Sequence, residues 1–393
     1  MRKLLFVLMI GAAEMLNAQT WVQKASCPAE GRYWAAATGN STHGYAGTGI
    51  LSFEQFTSQQ QDVYEYDPLT DSWTALPPYP GGVREGMAAF SIGERIFFGF
   101  GTPFIQGSNL LYEYLPGTGQ WEQRASCPMA TSHQKGFVIG DHFYIGPMDL
   151  GGEFYRYTAS TDSWSMIAAF PGIYRNQQMV FSAGGMGYLG GGGSGFGTTE
   201  EWYRYDPVAD SWEPSGSLFP NSDQSSATTI NGIGYVYNVG GNGNDVYRYS
   251  AALDSWEWHG SYGDIRTPNG CFFTIGDKGY HVFGQETQGA QNVSVSKLWE
   301  FTPGSSTAVA EASAQSVVDL RYAGDGSVWL KGRAPLTHAD VLDIVDAQGR
   351  LLYSRSFAVG AVVDVQLRSA ALGAGLRVAT LRGSGWSVKV VLE

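Results

Sequence analysis

Cysteine is scarce, with only Cys27, Cys127 and Cys271 in 393 residues. Three thiols cannot form a disulfide framework, and no Cys or His pair has the spacing of a metal site. Charge is sparse as well: 15% of residues are charged, and 24 basic against 36 acidic residues leave a formal balance of −12. An acidic surface repels phosphate backbones, so no nucleic acid is expected as a partner. Beyond the first residues no uncharged apolar run is long enough for a membrane helix, so no span is expected in the mature chain. Catalytic signatures are missing too. No G-x-S-x-G, H-E-x-x-H, Walker loop or calcium-loop spacing occurs, and no cofactor is implied. The run Gly190 to Gly193 is followed by neither a helix nor a lysine, which argues against a phosphate loop.

What is abundant is glycine, 53 residues, and aromatics at 14%. That pairing fits short strands joined by tight turns. The chain opens on a basic start, Arg2 and Lys3, then an apolar run from Leu4 to Ala13, then Asn17-Ala18 ahead of Gln19. This order is that of a secretory signal peptide, read as residues 1–18, so the protein is expected to be secreted or displayed at the cell surface.

One phrase then occurs five times. Val63-Tyr64-Glu65-Tyr66 leads to Asp71-Ser72-Trp73, and its copies end in Trp121, Trp164, Trp212 and Trp256, at intervals of 48, 43, 48 and 44 residues. A fixed period of this length with strand-like alternation marks a repeat of antiparallel sheets. Each repeat divides into four strands, the first two forming a hairpin, as in Gly86 to Ile92 with Arg95 to Phe100. The sixth set, Cys271 to Phe301, has no Trp strand of its own, whereas Thr20-Trp21-Val22-Gln23-Lys24 is a Trp strand without preceding partners. A ring that borrows its first strand to complete its last sheet leaves no open edge. The expected fold class is therefore all-β, a six-bladed propeller over residues 19–302. Its repeated Trp and Tyr are read as packing between blades rather than as a carbohydrate platform. Asp-Ser before Trp is read as a turn signal. Cys27 and Cys127 sit in twin phrases of different repeats, too far apart to bond, and all three cysteines are read as buried thiols.

Tyr-x-Tyr-Asp, the Trp strand and the glycines at 47, 49, 99, 101, 190–193 and 240–241 resemble the kelch repeat. The resemblance implies a propeller that serves commonly as a binding scaffold and sometimes as an enzyme. After Phe301 the texture changes. Residues 303–316 read as a linker, and 317–393 carry short alternating runs expected to form a small antiparallel β-sandwich. Ile344-Val345-Asp346-Ala347-Gln348-Gly349-Arg350, Val363-Asp364-Val365 with Leu372-Gly373-Ala374-Gly375, and Val388-Lys389-Val390-Val391 resemble the C-terminal sorting domain of Bacteroidetes-like bacteria. That resemblance implies the type IX secretion machinery as a partner of residues 317–393; the other reading is an ordinary accessory sandwich.

Chemistry is expected at the channel mouth, where the residues ahead of each first strand meet. Comparable positions hold Arg32, Arg84, Thr131 to His133, Arg175, Asp223 and Arg266, four arginines on a chain short of basic residues. They are expected to form a cationic collar, since an arginine fork suits carboxylates. The competing reading is that each arginine braces a blade through carbonyls or an acid. Tyr33, Glu85, His133, Asn176, Gln224 and Asn269 would complete the pocket, with the inserts Ser52 to Gln61 and Ser194 to Glu200 as a rim. The expected ligand is a glycan, peptide, protein or other acidic group. The kelch resemblance also allows a sugar-acting enzyme, such as a sialic acid mutarotase, with Glu85 or His133 moving the proton.

Overall fold

The computed structural model describes residues 19–304 apart from 54–55, 104–105, 149, 176, 195–196, 216–224, 239–244, 252–253, 262–266 and 289–290. In the tail it describes 318–392 apart from 324–326, 333–339, 347–350, 359–363, 369–374 and 382–385. Two compact units result, Met1–Ser306 and Thr307–Glu393.

The described residues of the first unit form six four-stranded antiparallel sheets and no helix. Their innermost strands are Ala36–Gly39, Glu85–Ile92, Gly136–Ile139, Met179–Ala183, Ser226–Ile230 and Cys271–Ile275, which number blades 1 to 6. Each inner strand lies beside those of both neighbouring blades, and the sixth returns to the first, so the six sheets close a propeller. Thr20–Lys24 pairs with Leu298–Thr302, placing Trp21 opposite Phe301 and completing blade 6 from the other end of the unit.

Hydrophobic clusters fill the seams between blades. Phe90 of blade 2 stacks on Phe143 of blade 3 at 3.6 Å, and Trp21 lies 4.8 Å from Phe301 in the seam between blades 5 and 6. Each fully buried ring contributes about 2 kcal/mol from lost water contact. Cys27, Cys127 and Cys271 are unbonded and buried; burial pushes the Cys27 and Cys127 thiols up to about 12.

The Asp-Ser-Trp phrase does more than turn the chain. Asp71, Asp162 and Asp210 adopt left-handed backbone at φ 51, 46 and 48. Each accepts the hydroxyl of the tyrosine five residues earlier at 2.7 Å. The same oxygen accepts a backbone N–H from the preceding blade, Ala25, Ala125 or Ala168, at 2.9 Å. The tryptophan two residues on donates its indole N–H back to the carbonyl of that same alanine. Beyond turning the chain, the phrase thus staples blades 1, 3 and 4 each to its predecessor.

In the tail, Val318–Ala323, Ser327–Gly332 and Asp364–Arg368 form a three-stranded antiparallel sheet. Asp340–Asp346 and Gly375–Leu381 form the centre of a four-stranded one, flanked by Leu351–Phe357 and Trp386–Leu392. Leu342 and Ile344 are buried, as alternation on one covered face requires.

Candidate functional site

The inner strands surround a channel of about 280 Å3, lined from Trp34, Gln177 and Asn269 at one end toward Gly39, Ser182 and Thr274. In five of the six blades one left-handed residue stands at or just ahead of the start of the inner strand, the corresponding residues of blade 5 lying outside the described ones. Trp34, Gly86, His133, Gln177 and Asn269 have φ of 51, 59, 60, 54 and 61. These residues are joined head to tail across blades. Trp34 N–H donates to the Asn269 carbonyl, Gly86 to Trp34, His133 to Gly86 and Gln177 to His133, at 2.8–3.3 Å. Left-handed backbone costs a non-glycine residue about 1–3 kcal/mol, and it persists here because these bonds between blades fix it.

At Gly86 the missing side chain has a direct use. A Cβ there would lie 2.8 Å from the His133 ring, so only glycine lets that imidazole pass across blade 2. The ring then meets Trp34 of blade 1 edge-on at 4.9 Å. The Trp34 indole N–H donates to Asn269 Oδ1 at 3.3 Å, which in turn is linked through its amide to Gln285 at 3.3 Å. A bridge of polar and aromatic groups thus spans the mouth from blade 3 to blade 6.

Glu85 adjoins this bridge. It is buried and hydrogen-bonded to Gln59, while its Oε2 has no partner. Burial raises its carboxyl above the ordinary range. His133 Nε2 is likewise buried without a partner, and burial, then the nearby Lys135 charge, lower the imidazole to about 4. Tyr33 packs on Trp34 at 5.0 Å, its hydroxyl raised by burial and then by the Glu85 charge.

The collar of arginines requires correction. Arg32 is 1% exposed and forks onto Asp62 at 2.5 and 3.0 Å, with further bonds to the Glu30 and Thr48 carbonyls. Arg175 is equally buried and binds the Ile173, Gly191 and Glu201 carbonyls and the Glu201 carboxylate. Both guanidinium groups are engaged inside their blades, so neither offers a fork to a ligand. Arg84 is also buried, over the Tyr79 ring, but bonds only the Gly81 carbonyl and leaves Nε and Nη1 unpartnered. Arg266, Asn176, Asp223 and Gln224 lie outside the described residues, so pairing of Glu85 with Asp223 has no geometry to rest on. The expected rim inserts occur as two-stranded hairpins, Ile50–Phe53 with Phe56–Gln59 and Gly193–Ser194 with Gly197–Thr198. A third, Gln285–Gln288 with Gln291–Ser294, was not anticipated.

Among curated proteins the chain is similar to Kelch-like protein 25 of Xenopus tropicalis, 29% identical over 167 residues, 40% of this chain and 27% of that protein. It is also similar to N-acetylneuraminate epimerase of Pasteurella multocida (strain Pm70), 28% identical over 148 residues, 34% of each chain. The chain thus matches about a quarter to a third of the length of these relatives. Among solved structures, that of YjhT superposes with a TM-score of 0.57 at 16% identity, covering 71% of this chain and 97% of that one. The chain carries a kelch-repeat β-propeller. No family model matches it.

Two residues of this kelch propeller's mouth escaped the sequence reading, Trp34 and Gln177. The signal that finds them is the position two residues before the first strand, where the left-handed backbone falls, rather than the arginines two residues further upstream. Among the described residues no His, Cys, Asp or Glu cluster could hold a metal. The mouth offers a carboxyl with a raised proton affinity, a neutral imidazole, amides and an aromatic edge. Together these can bind hydroxyls and exchange protons with them.

Proposed function

We propose that this protein is exported and binds a saccharide at the mouth of its kelch propeller. The observation that carries the reading is the pair of buried, unpartnered atoms beside Gly86, Glu85 Oε2 and His133 Nε2. Buried polar atoms are ordinarily satisfied, and ligand hydroxyls would supply what these lack. Tyr33, Trp34 and the amides of Gln177 and Asn269 favour a sugar over a peptide side chain, since they pair apolar edges with neutral hydrogen bonding. Calorimetric titration of the full chain with glucose and glucuronate tests the reading. Glu85→Gln and His133→Ala should each weaken binding about tenfold, the worth of one hydrogen bond to a buried group. Unchanged affinities in both variants would refute it.

The opposite pKa shifts favour a second reading, an enzyme acting on sugars. Glu85 holds a proton more readily than usual and His133 less, as an acid and a base in one site require. The carboxyl would donate to the ring oxygen as the imidazole takes the anomeric hydroxyl proton, opening the ring, and the reverse transfers would close it. Relatives named N-acetylneuraminate epimerase make sialic acid the substrate to try. NMR of its anomers decides, because a binding protein leaves their interconversion rate unchanged.

We further propose that residues 1–18 direct export and that residues 317–393 form a β-sandwich read by the type IX secretion machinery, delivering the propeller to the cell surface or medium. The two sheets and the sequence resemblance of the tail support this. Removing 317–393 should leave a folded propeller in the periplasm; undiminished surface delivery would reduce the tail to an accessory module.

A further inference from the structure

Among the described residues that line the channel, Lys135 is the one that is charged. It owes that place to its position two residues after the left-handed His133. The inner strands of blades 1, 4 and 6 begin two residues after their left-handed residues Trp34, Gln177 and Asn269. In blade 3 that same position is held by Lys135, one residue ahead of the strand Gly136–Ile139. Its charge acts on His133 in its own blade and on Cys271 in blade 6, directly across the ring, so the ammonium stands within the channel. Among the described residues no carboxylate pairs with it and none lines the channel.

We propose that Lys135 is a specificity-determining residue that selects carboxylate-bearing saccharides, receiving the carboxylate inside the channel while the sugar ring sits at the mouth. This rests on the mouth being a saccharide site. A single cation between low-dielectric walls focuses its field along the channel, in a protein whose overall charge of −12 turns anions away elsewhere. The remaining polarity of the described wall is neutral, from groups such as Ser226, Thr228 and Asn269, so no acid among them competes for the ammonium. The mouth imidazole is neutral near pH 7 and adds no second cation that would blur the selection. A cationic sugar, in contrast, would meet like charge and no acid.

Glucose and glucuronate differ by the carboxylate alone, so they are the probes. In calorimetric titrations of the full chain, glucuronate should bind about 10- to 100-fold tighter than glucose, the range of one charge-assisted hydrogen bond. Lys135→Met keeps the length of the stem and should bring glucuronate down to the glucose affinity while leaving glucose unchanged. Lys135→Arg should keep the preference. A preference for glucuronate that survives Lys135→Met overturns the assignment and leaves the mouth reading intact, as does equal binding of both sugars by the unaltered protein. Failure of the unaltered protein to bind either sugar removes both.

Discussion

Arg32 and Arg84 occupy the same place in consecutive blades, two residues before the left-handed turn, and their fates differ. Arg32 meets Asp62, the residue just ahead of its blade's third strand, Val63–Asp67. Arg175 meets Glu201 at the corresponding point ahead of Trp202–Asp206. In blade 2 that point is Leu110, ahead of Leu111–Leu115. The equivalence is fixed by the backbone, since Asp62, Leu110 and Glu201 each accept the N–H at the end of the second strand, from Thr48, Phe100 and Gly191. Replacing an acid by leucine leaves a buried guanidinium with two unpartnered donors. One residue type therefore serves as a brace where an acid answers it and as an uncompensated charge where none does.

The comparison can be broken most forcefully at Arg32. Arg32→Ala leaves Asp62 facing a site built for a cation and should cost about 3–5 kcal/mol. For a unit of this size that lowers the unfolding midpoint by about 10 °C in a calorimetric scan. An unchanged midpoint would end the claim that Arg32 is a brace.

His133, like Arg84, is a buried group with an unanswered atom, and acid should expose it. Its folded-state value of about 4, and that of about 3 for the fully buried His281, lie below the ordinary 6.5. Stability from keeping both rings neutral is fully present above about pH 6.5 and is lost as the pH falls toward 4 and then 3. The share of His133 is about 3 kcal/mol, so His133→Asn should flatten the fall in denaturant-measured stability between pH 6.5 and 4. A slope identical to that of the unaltered protein would show that the imidazole already protonates freely.

Arg175→Ala should cost less than Arg32→Ala, about 1–2 kcal/mol. Its partner Glu201 is half exposed and sits at 3.4 Å, so backbone bonds carry most of the bracing. Equal losses at both sites would mean that exposure of the acid is immaterial. Arg84→Met should have the smallest effect, within about 1 kcal/mol of zero, because it removes a single backbone bond together with two unmet donors. A loss as large as that at Arg32 would reveal a partner for Arg84 and erase the contrast.

Much of the fold was legible in the chain. Five Tyr and Trp phrases at a steady interval leave few ways to bury so many rings except as stacked sheets, and Trp21 without upstream partners next to Leu298–Thr302 without downstream ones leaves one gap to fill. The aspartate of the phrase was only half legible. Its turn could be read locally, but the Ala25, Ala125 and Ala168 amides it accepts lie 37 to 46 residues upstream. In the tail the sequence reading missed Val318–Ala323, although Val318, Leu320 and Tyr322 alternate there with Asp319 and Arg321.

At the site, the sequence located the mouth and named Tyr33, Glu85, His133 and Asn269 there, yet it treated all the arginines alike. Whether each guanidinium is engaged depends on an acid 26 or 30 residues downstream, beyond inserts of unequal length that hide the correspondence of Asp62, Leu110 and Glu201. Lys135 was passed over because it falls just ahead of the strand Gly136–Ile139, where a lysine ordinarily points to solvent.

The sequence by itself determined a six-fold repeat of aromatic strands, because period and alternation are properties of the chain read locally. Only the tertiary structure decided which cations are answered and which one faces the channel. Charge pairing and the passage of His133 over Gly86 depend on distances that exist only once the blades are closed into a ring.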